Sequence, residues 1–159
     1  MPKVNLAEDF YEQTPDASKL ATEAVMNTIR TADLLFDRIG VLLRPLGVSS
    51  AGGLVLGQLR DHGSMSPSEL GERLIVTRAT VTGVVDSLER RGYVLRTPNA
   101  NDRRGIIVEL TPAGVEACAE VRRVIHRQER DWMAALSEAE LATYIDLMHR
   151  IQTTVSGEG

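Results

Sequence analysis

Residues 66–111 read SPSELGERLIVTRATVTGVVDSLERRGYVLRTPNANDRRGIIVELT, and this stretch decides the fold. Ser66-Pro67-Ser68-Glu69 is a complete helix start. It has a hydroxyl N-cap, a proline at the first helical position and a glutamate three residues on to close a capping box. Leu70, Leu74 and Val76, then Val81, Val84 and Leu88, are spaced to pin two short helices against each other and a common core. Gly71 lies in the first helix, where a side chain would obstruct the second. Thr77 is suited to cap the second helix, and Gly92, after Arg90-Arg91, to stop it. The turn between the helices is Ile75-Val76 and lacks the glycine that many such turns carry.

The second helix divides into faces. At 100° per residue, Val81, Val84, Val85 and Leu88 form the side to be buried. The opposite line is Ala79, Gly83, Asp86 and Arg90, flanked by Thr80, Thr82 and Ser87. Small residues there let the backbone approach base edges, and threonines can donate to phosphates or touch thymine methyls. Asp86 is expected to pair with Arg90 at i+4 and orient it. By itself this is also the face of an ordinary amphipathic helix.

The hairpin beyond this helix sharpens the reading. Tyr93–Thr97 and Ile106–Leu110 are β-rich runs, and Pro98–Gly105 between them is turn-forming. The tip carries Asp102-Arg103-Arg104. A solvated charged loop would read the same way in isolation. Coupled to the two helices, the order is helix, turn, reading helix, basic wing. This order places one helix in a DNA major groove and an arginine in the neighbouring minor groove, with Asp102 holding Arg104 extended. The candidate DNA contacts are Ser66 and Thr77 at the helix starts, Arg78, Ala79, Thr80, Thr82, Gly83, Asp86 and Arg90 on the reading helix, and Asn101, Asp102, Arg103 and Arg104 on the wing.

The run SELGERLIVTRATVTGVVDSLERRGYVLRTPNANDRRGIIVELTPAG resembles the MarR family of winged-helix transcriptional regulators. VTRATVTGVVDSLERRGYV and NDRRGIIVELTPAG are its most specific parts, and looser similarity covers the helical flanks. The resemblance implies an obligate homodimer with one winged helix per subunit, bound to a near-palindromic double-stranded operator. It implies repression relieved by a small ligand or, in one branch, by thiol oxidation. It also matches Arg104 to the family's minor-groove arginine.

Bulk properties agree with a globular chain. In 159 residues, 43% are hydrophobic and 25% charged, which excludes a disordered chain. No apolar run approaches the length of a membrane span, so no membrane partner is expected. Residues 1–5 lack a signal-peptide core, and the single cysteine excludes an internal disulfide, so a cytoplasmic location is expected. Net charge is −4. Residues 60–104 hold eight basic and six acidic side chains, a local +2, and the remainder holds ten and sixteen, a local −6. This asymmetry suits binding through the middle segment by a sequence-selective protein.

The flanks read as helices. After a polar leader over 1–17, Ser18–Leu43 is apolar on two sides, through Val25, Ile29, Ala32, Phe36, Ile39 and Leu43 on one and Leu34, Leu35, Val41 and Leu42 on the other. Ser49 caps a helix to about Arg60. Thr111-Pro112 opens another with the stripe Val115, Cys118, Val121, Ile125, Trp132 and Leu136. Ser137-Glu138-Ala139-Glu140 is a second capping box and opens a last helix bearing Leu141, Tyr144, Ile145, Met148, Ile151 and Val155. These helices ask for a partner, most simply the same chain under two-fold symmetry. The expected fold is therefore mainly α with a small β-wing. A winged helix-turn-helix lobe over 49–111 lies between a leader and helix over 1–48 and helices over 112–159, both contributing to dimerisation.

Other chemistry is sparse. Mid-stripe, Cys118 reads as a small hydrophobe, and a thiol redox sensor is the alternative. His62, His126 and His149 are scattered; His126 is spaced to share a face with Cys118, but no second ligand pair suggests a metal, and no cofactor is implied. No phosphate loop or nucleophile elbow suggests an enzyme. A winged-helix protein adaptor is the remaining rival, and it has no need of the wing arginines. An effector crevice between the dimerisation helices and the winged helix would be lined by Phe36, Ile39, Ser50 and Leu54, suited to a small aromatic or lipophilic molecule.

Overall fold

The computed structural model describes residues 4–7, 9, 12, 16–74, 77–99 and 102–157, with backbone alone at 78 and 102–104. The Ile75-Val76 turn, Asn101 and the side chains of Arg78, Asp102, Arg103 and Arg104 lie outside the described residues. The elements are α1 Lys19–Leu43, a 3-10 turn Arg44–Leu46, α2 Ser50–His62, α3 Pro67–Leu74, α4 Arg78–Arg90, β1 Val94–Asn99, β2 Asp102–Leu110, α5 Pro112–Met133 and α6 Glu138–Ser156. The fold is mainly helical with one small antiparallel sheet, as the sequence predicts. It forms two compact units, Met1–Val121 and Arg122–Gly159.

Helix boundaries follow the capping chemistry. Ser18 and Ser49 accept from the backbone N–H groups of Ala21 and Gly52. Ser66 and Glu69 exchange bonds reciprocally, the Ser66 N–H donating to Glu69 Oε2 at 2.7 Å and the Glu69 N–H to Ser66 Oγ at 3.2 Å. Those bonds, with help from Arg73, hold the Glu69 carboxyl below its ordinary pKa. Ser137 and Glu140 repeat the box at α6. Gly92, at φ +72°, turns the chain out of α4 into the wing.

Within the first unit, Leu56, Leu70, Val81, Val85, Leu88, Val94 and Val108 form a dry core. It joins α2, α3 and α4 to the sheet. Val84, expected among these, is only half-buried. The wing is longer than its sequence suggests. Pairing begins at Asn99 and Asp102 rather than at Thr97 and Ile106, so most of the expected turn is strand. Met65 adds a bridge on the far side of β2, exchanging both backbone hydrogen bonds with Val108. The wing is thereby rooted in the core on two sides.

Two tight approaches complete this unit. A Cβ on Gly114 would stand 1.8 Å from the Tyr93 carbonyl oxygen, so α5 can start there only with glycine. Thr111 supports the same corner, donating its hydroxyl to the Gly92 carbonyl at 2.6 Å. Cys118 is buried, its thiol 3.5 Å from the Leu56 carbonyl. The long helices behave differently. α1 buries only Leu43 among 25 residues, and α6 buries none.

Candidate nucleic-acid interface

α4 presents the face its sequence predicts. Val81, Val85 and Leu88 anchor it to the core, while Ala79, Thr80, Thr82, Gly83, Asp86 and Arg90 are exposed on the other side. A Cβ on Gly83 would meet nothing within 4 Å, so the helix backbone is open to approach from outside. Thr77 caps the helix by accepting from the Thr80 N–H at 3.2 Å, and the two hydroxyls lie 2.9 Å apart. Ser66 is half-buried, its hydroxyl engaged in the α3 capping box.

Asp86 does not pair with Arg90. Its partner is Arg96 of β1, whose Nη2 donates to Asp86 Oδ1 at 2.5 Å while its Nη1 donates to Glu89 Oε2. Partial burial disfavours the Arg96 charge, but the bonds and charges of Asp86 and Glu89 outweigh it and raise the guanidinium pKa above its ordinary value. The local rule favoured the i+4 neighbour. The Gly92 turn instead folds β1 back along α4 and brings a planar two-pronged donor between carboxylates three residues apart. The signal was present as an i, i+3 acidic pair followed by a strand arginine, but the pairing needs the turn geometry. Arg90 is left exposed at the end of the helix.

A second feature lies where the C-terminal ends of α1 and α4 meet the start of α2. A cleft of about 790 Å³ is lined by residues that include Phe36, Asp37, Arg44, Ser50, Ser87 and Arg91. Of the predicted crevice residues, Phe36 and Ser50 line it; Ile39 and Leu54 do not, and Leu54 is exposed elsewhere on α2. The Ser50 hydroxyl is committed to structure, donating to the Phe36 carbonyl at 2.7 Å. The lining is also more polar than the sequence suggested, because the 3-10 turn after α1 contributes Arg44 and the residue after α4 contributes Arg91. Arg91 lies across Gly47, where a Cβ would fall 2.1 Å from its guanidinium carbon. His126 Nδ1 lies 2.7 Å from Glu129 Oε2, a hydrogen-bonded pair one helical turn apart on α5. Among the described residues no group of three or more His, Cys, Asp or Glu could hold a metal ion.

A capped two-helix unit, an open-faced second helix and a two-stranded wing define a winged helix-turn-helix protein of the transcription-regulator class. The MarR family model matches residues 49–106. The multiple antibiotic resistance protein MarR of Escherichia coli is 31% identical over 110 residues, spanning 69% of this chain and 76% of that protein. A Thauera aromatica protein described as regulating the hcr operon is 34% identical over 97 residues, spanning 61% of this chain but only 58% of its own length. A cysteine-to-serine mutant of E. coli MarR, solved with operator DNA, superposes with a TM-score of 0.75 at 27% identity, covering 91% of this chain and 99% of that one. The chain belongs to the MarR family, whose members are transcriptional regulators and not enzymes.

Proposed function

We propose that this protein is a homodimeric repressor that binds a near-palindromic operator and releases it when a small effector enters the cleft at the ends of α1 and α4. The observation that carries the DNA reading is the open line Ala79, Thr80, Thr82, Gly83 beside a rooted wing. α4 enters the major groove, and Arg103 and Arg104 reach the adjacent minor groove with Asn101 and Asp102. Arg78 and Arg90 meet phosphate at the two ends of the helix, and Ser66 and Thr77 support them. The dimer reading rests on α1 and α6. Val25, Ile29 and Phe36 of α1 are exposed, as are Ile145, Ile151 and Val155 of α6, and each helix is offered to a second copy. The three-part division over 1–48, 49–111 and 112–159 describes these roles. No single helix among the described residues is long and apolar enough to cross a membrane, and the regulator acts in the cytoplasm.

The cleft favours an effector with an aromatic body against Phe36 and an anionic group toward Arg44 and Arg91. Gel-shift titrations at several salt concentrations test the DNA reading. A steep fall of affinity with salt is expected, whereas a protein adaptor has no affinity to lose. A thiol switch is disfavoured by burial, since Cys118 is 1% exposed. Peroxide is therefore expected to leave DNA binding intact in both wild type and Cys118→Ser. Peroxide release of the wild type alone would establish the redox reading instead.

A further inference from the structure

Two elements that contact DNA need a fixed angle between them, because a helix in one groove and a wing in the next gain from each other only if both fit at once. α4 and the wing are joined in sequence by Arg91-Gly92-Tyr93, a turn whose glycine has positive φ. Beyond the turn, Arg96 links the two elements through its side chain, reaching from β1 to Asp86 and Glu89. Its geometry is that of a clamp. The planar guanidinium puts one nitrogen on each carboxylate, and the carboxylates stand one helical turn apart. The Arg96 side chain is 23% exposed and those of Asp86 and Glu89 49% and 40%, so the clamp sits at the edge of the reading face rather than in the core.

We propose that Arg96 is a positioning residue that makes the recognition helix and the wing one rigid reading head, so that the major-groove and minor-groove contacts succeed or fail together. The clamp has a second consequence on the same face. It offsets one of the two carboxylate charges that would otherwise confront phosphate uncompensated. The proposal rests on the DNA-binding reading above, and its test separates the two.

The test is a set of binding measurements on operator DNA with Thr82→Ala on the helix, Arg104→Ala on the wing and both together, in wild-type and Arg96→Met backgrounds. In the wild-type background the two substitutions are expected to be non-additive, the double variant binding about tenfold better than the product of the single losses. In Arg96→Met that factor should fall to near one. If Arg104→Ala costs nothing, the wing does not touch DNA and the underlying reading fails. If Arg104→Ala weakens binding and the tenfold coupling persists in Arg96→Met, the clamp proposal is overturned.

Asp86→Asn with Glu89→Gln weakens the same link without altering Arg96, and it serves if Arg96→Met does not fold. It should also abolish the coupling, and coupling retained there overturns the proposal. Adding those two substitutions to Arg96→Met separates positioning from charge. Affinity should partly recover as the uncovered carboxylates disappear, but coupling should not return. Coupling restored by neutralisation would show that Arg96 only screens charge.

Discussion

α1 and α4 are both amphipathic helices, yet they leave opposite chemistry facing outward. α4 turns Val81, Val85 and Leu88 into the core and shows solvent alanine, threonine and glycine. α1 buries Leu43 alone and leaves Leu20, Val25, Met26, Ile29 and Phe36 exposed. A small, polar outer face suits a partner that is polar and must come close. A large, apolar outer face suits a partner that will exclude water. On the proposed function, the contrast separates the face offered to DNA from the face offered to another copy of the chain.

The largest expected effect attacks the apolar side. Ile29→Asp, or independently Ile145→Asp, should weaken self-association by about 2–4 kcal/mol, the range of a central interface residue. Sedimentation equilibrium checks it; an unchanged dimer would mean that these faces are not the interface. A wild type that is monomeric at micromolar concentration would remove the apolar half of the comparison altogether.

On the polar side, Arg104→Ala should cost about 1–3 kcal/mol of operator affinity per site, flatten the salt dependence and weaken any A·T preference beside the half-site. Thr80→Ala or Thr82→Ala should instead alter preference inside the half-site and leave the salt slope nearly unchanged. Binding to operator variants at two salt concentrations distinguishes them.

Gly83→Ala is a smaller but sharper probe. The site is open, so alanine in mid-helix should raise stability by roughly 0.5–1 kcal/mol. The added methyl faces the groove and should weaken DNA binding. Thermal melts and gel shifts on the same sample check the split. A variant that is more stable and binds equally well would show that the backbone does not approach DNA closely here.

The smallest effect concerns the cap of α3. The Glu69 carboxyl is held below its ordinary pKa by the Ser66 backbone and hydroxyl bonds. The ionised form therefore favours the folded state at neutral pH, and this contribution is lost as pH falls through the depressed value. Glu69→Gln should lower the melting temperature slightly at pH 7, and the gap from wild type should narrow as pH falls below the ordinary glutamate range and through the depressed value. A gap that does not change with pH would mean that the cap is not ionic.

Much of this molecule was legible because its signals are local. The caps at Ser49, Thr77 and Ser137, the Ser66–Glu69 box and the glycine stop at Gly92 are each decided within four residues, and the periodicity of α4 fixes its buried side. The exposed apolar face of α1 was readable for the same reason. The rest needed the chain to fold back on itself. Arg96 takes Asp86 because the Gly92 turn lays β1 along α4, a relation that helix spacing cannot express. The glycine in Thr111-Pro112-Ala113-Gly114 is required by the carbonyl of Tyr93, far from it in sequence. The cleft acquires its arginines because the end of α1 and the end of α4 meet there, and Ser50 loses its hydroxyl to α1 in the same crossing. Sequence determined which elements form and which faces they show, because those depend on neighbours within a few residues. Tertiary structure decided which charges pair and what lines the cleft, because those depend on distances that only the closed fold sets.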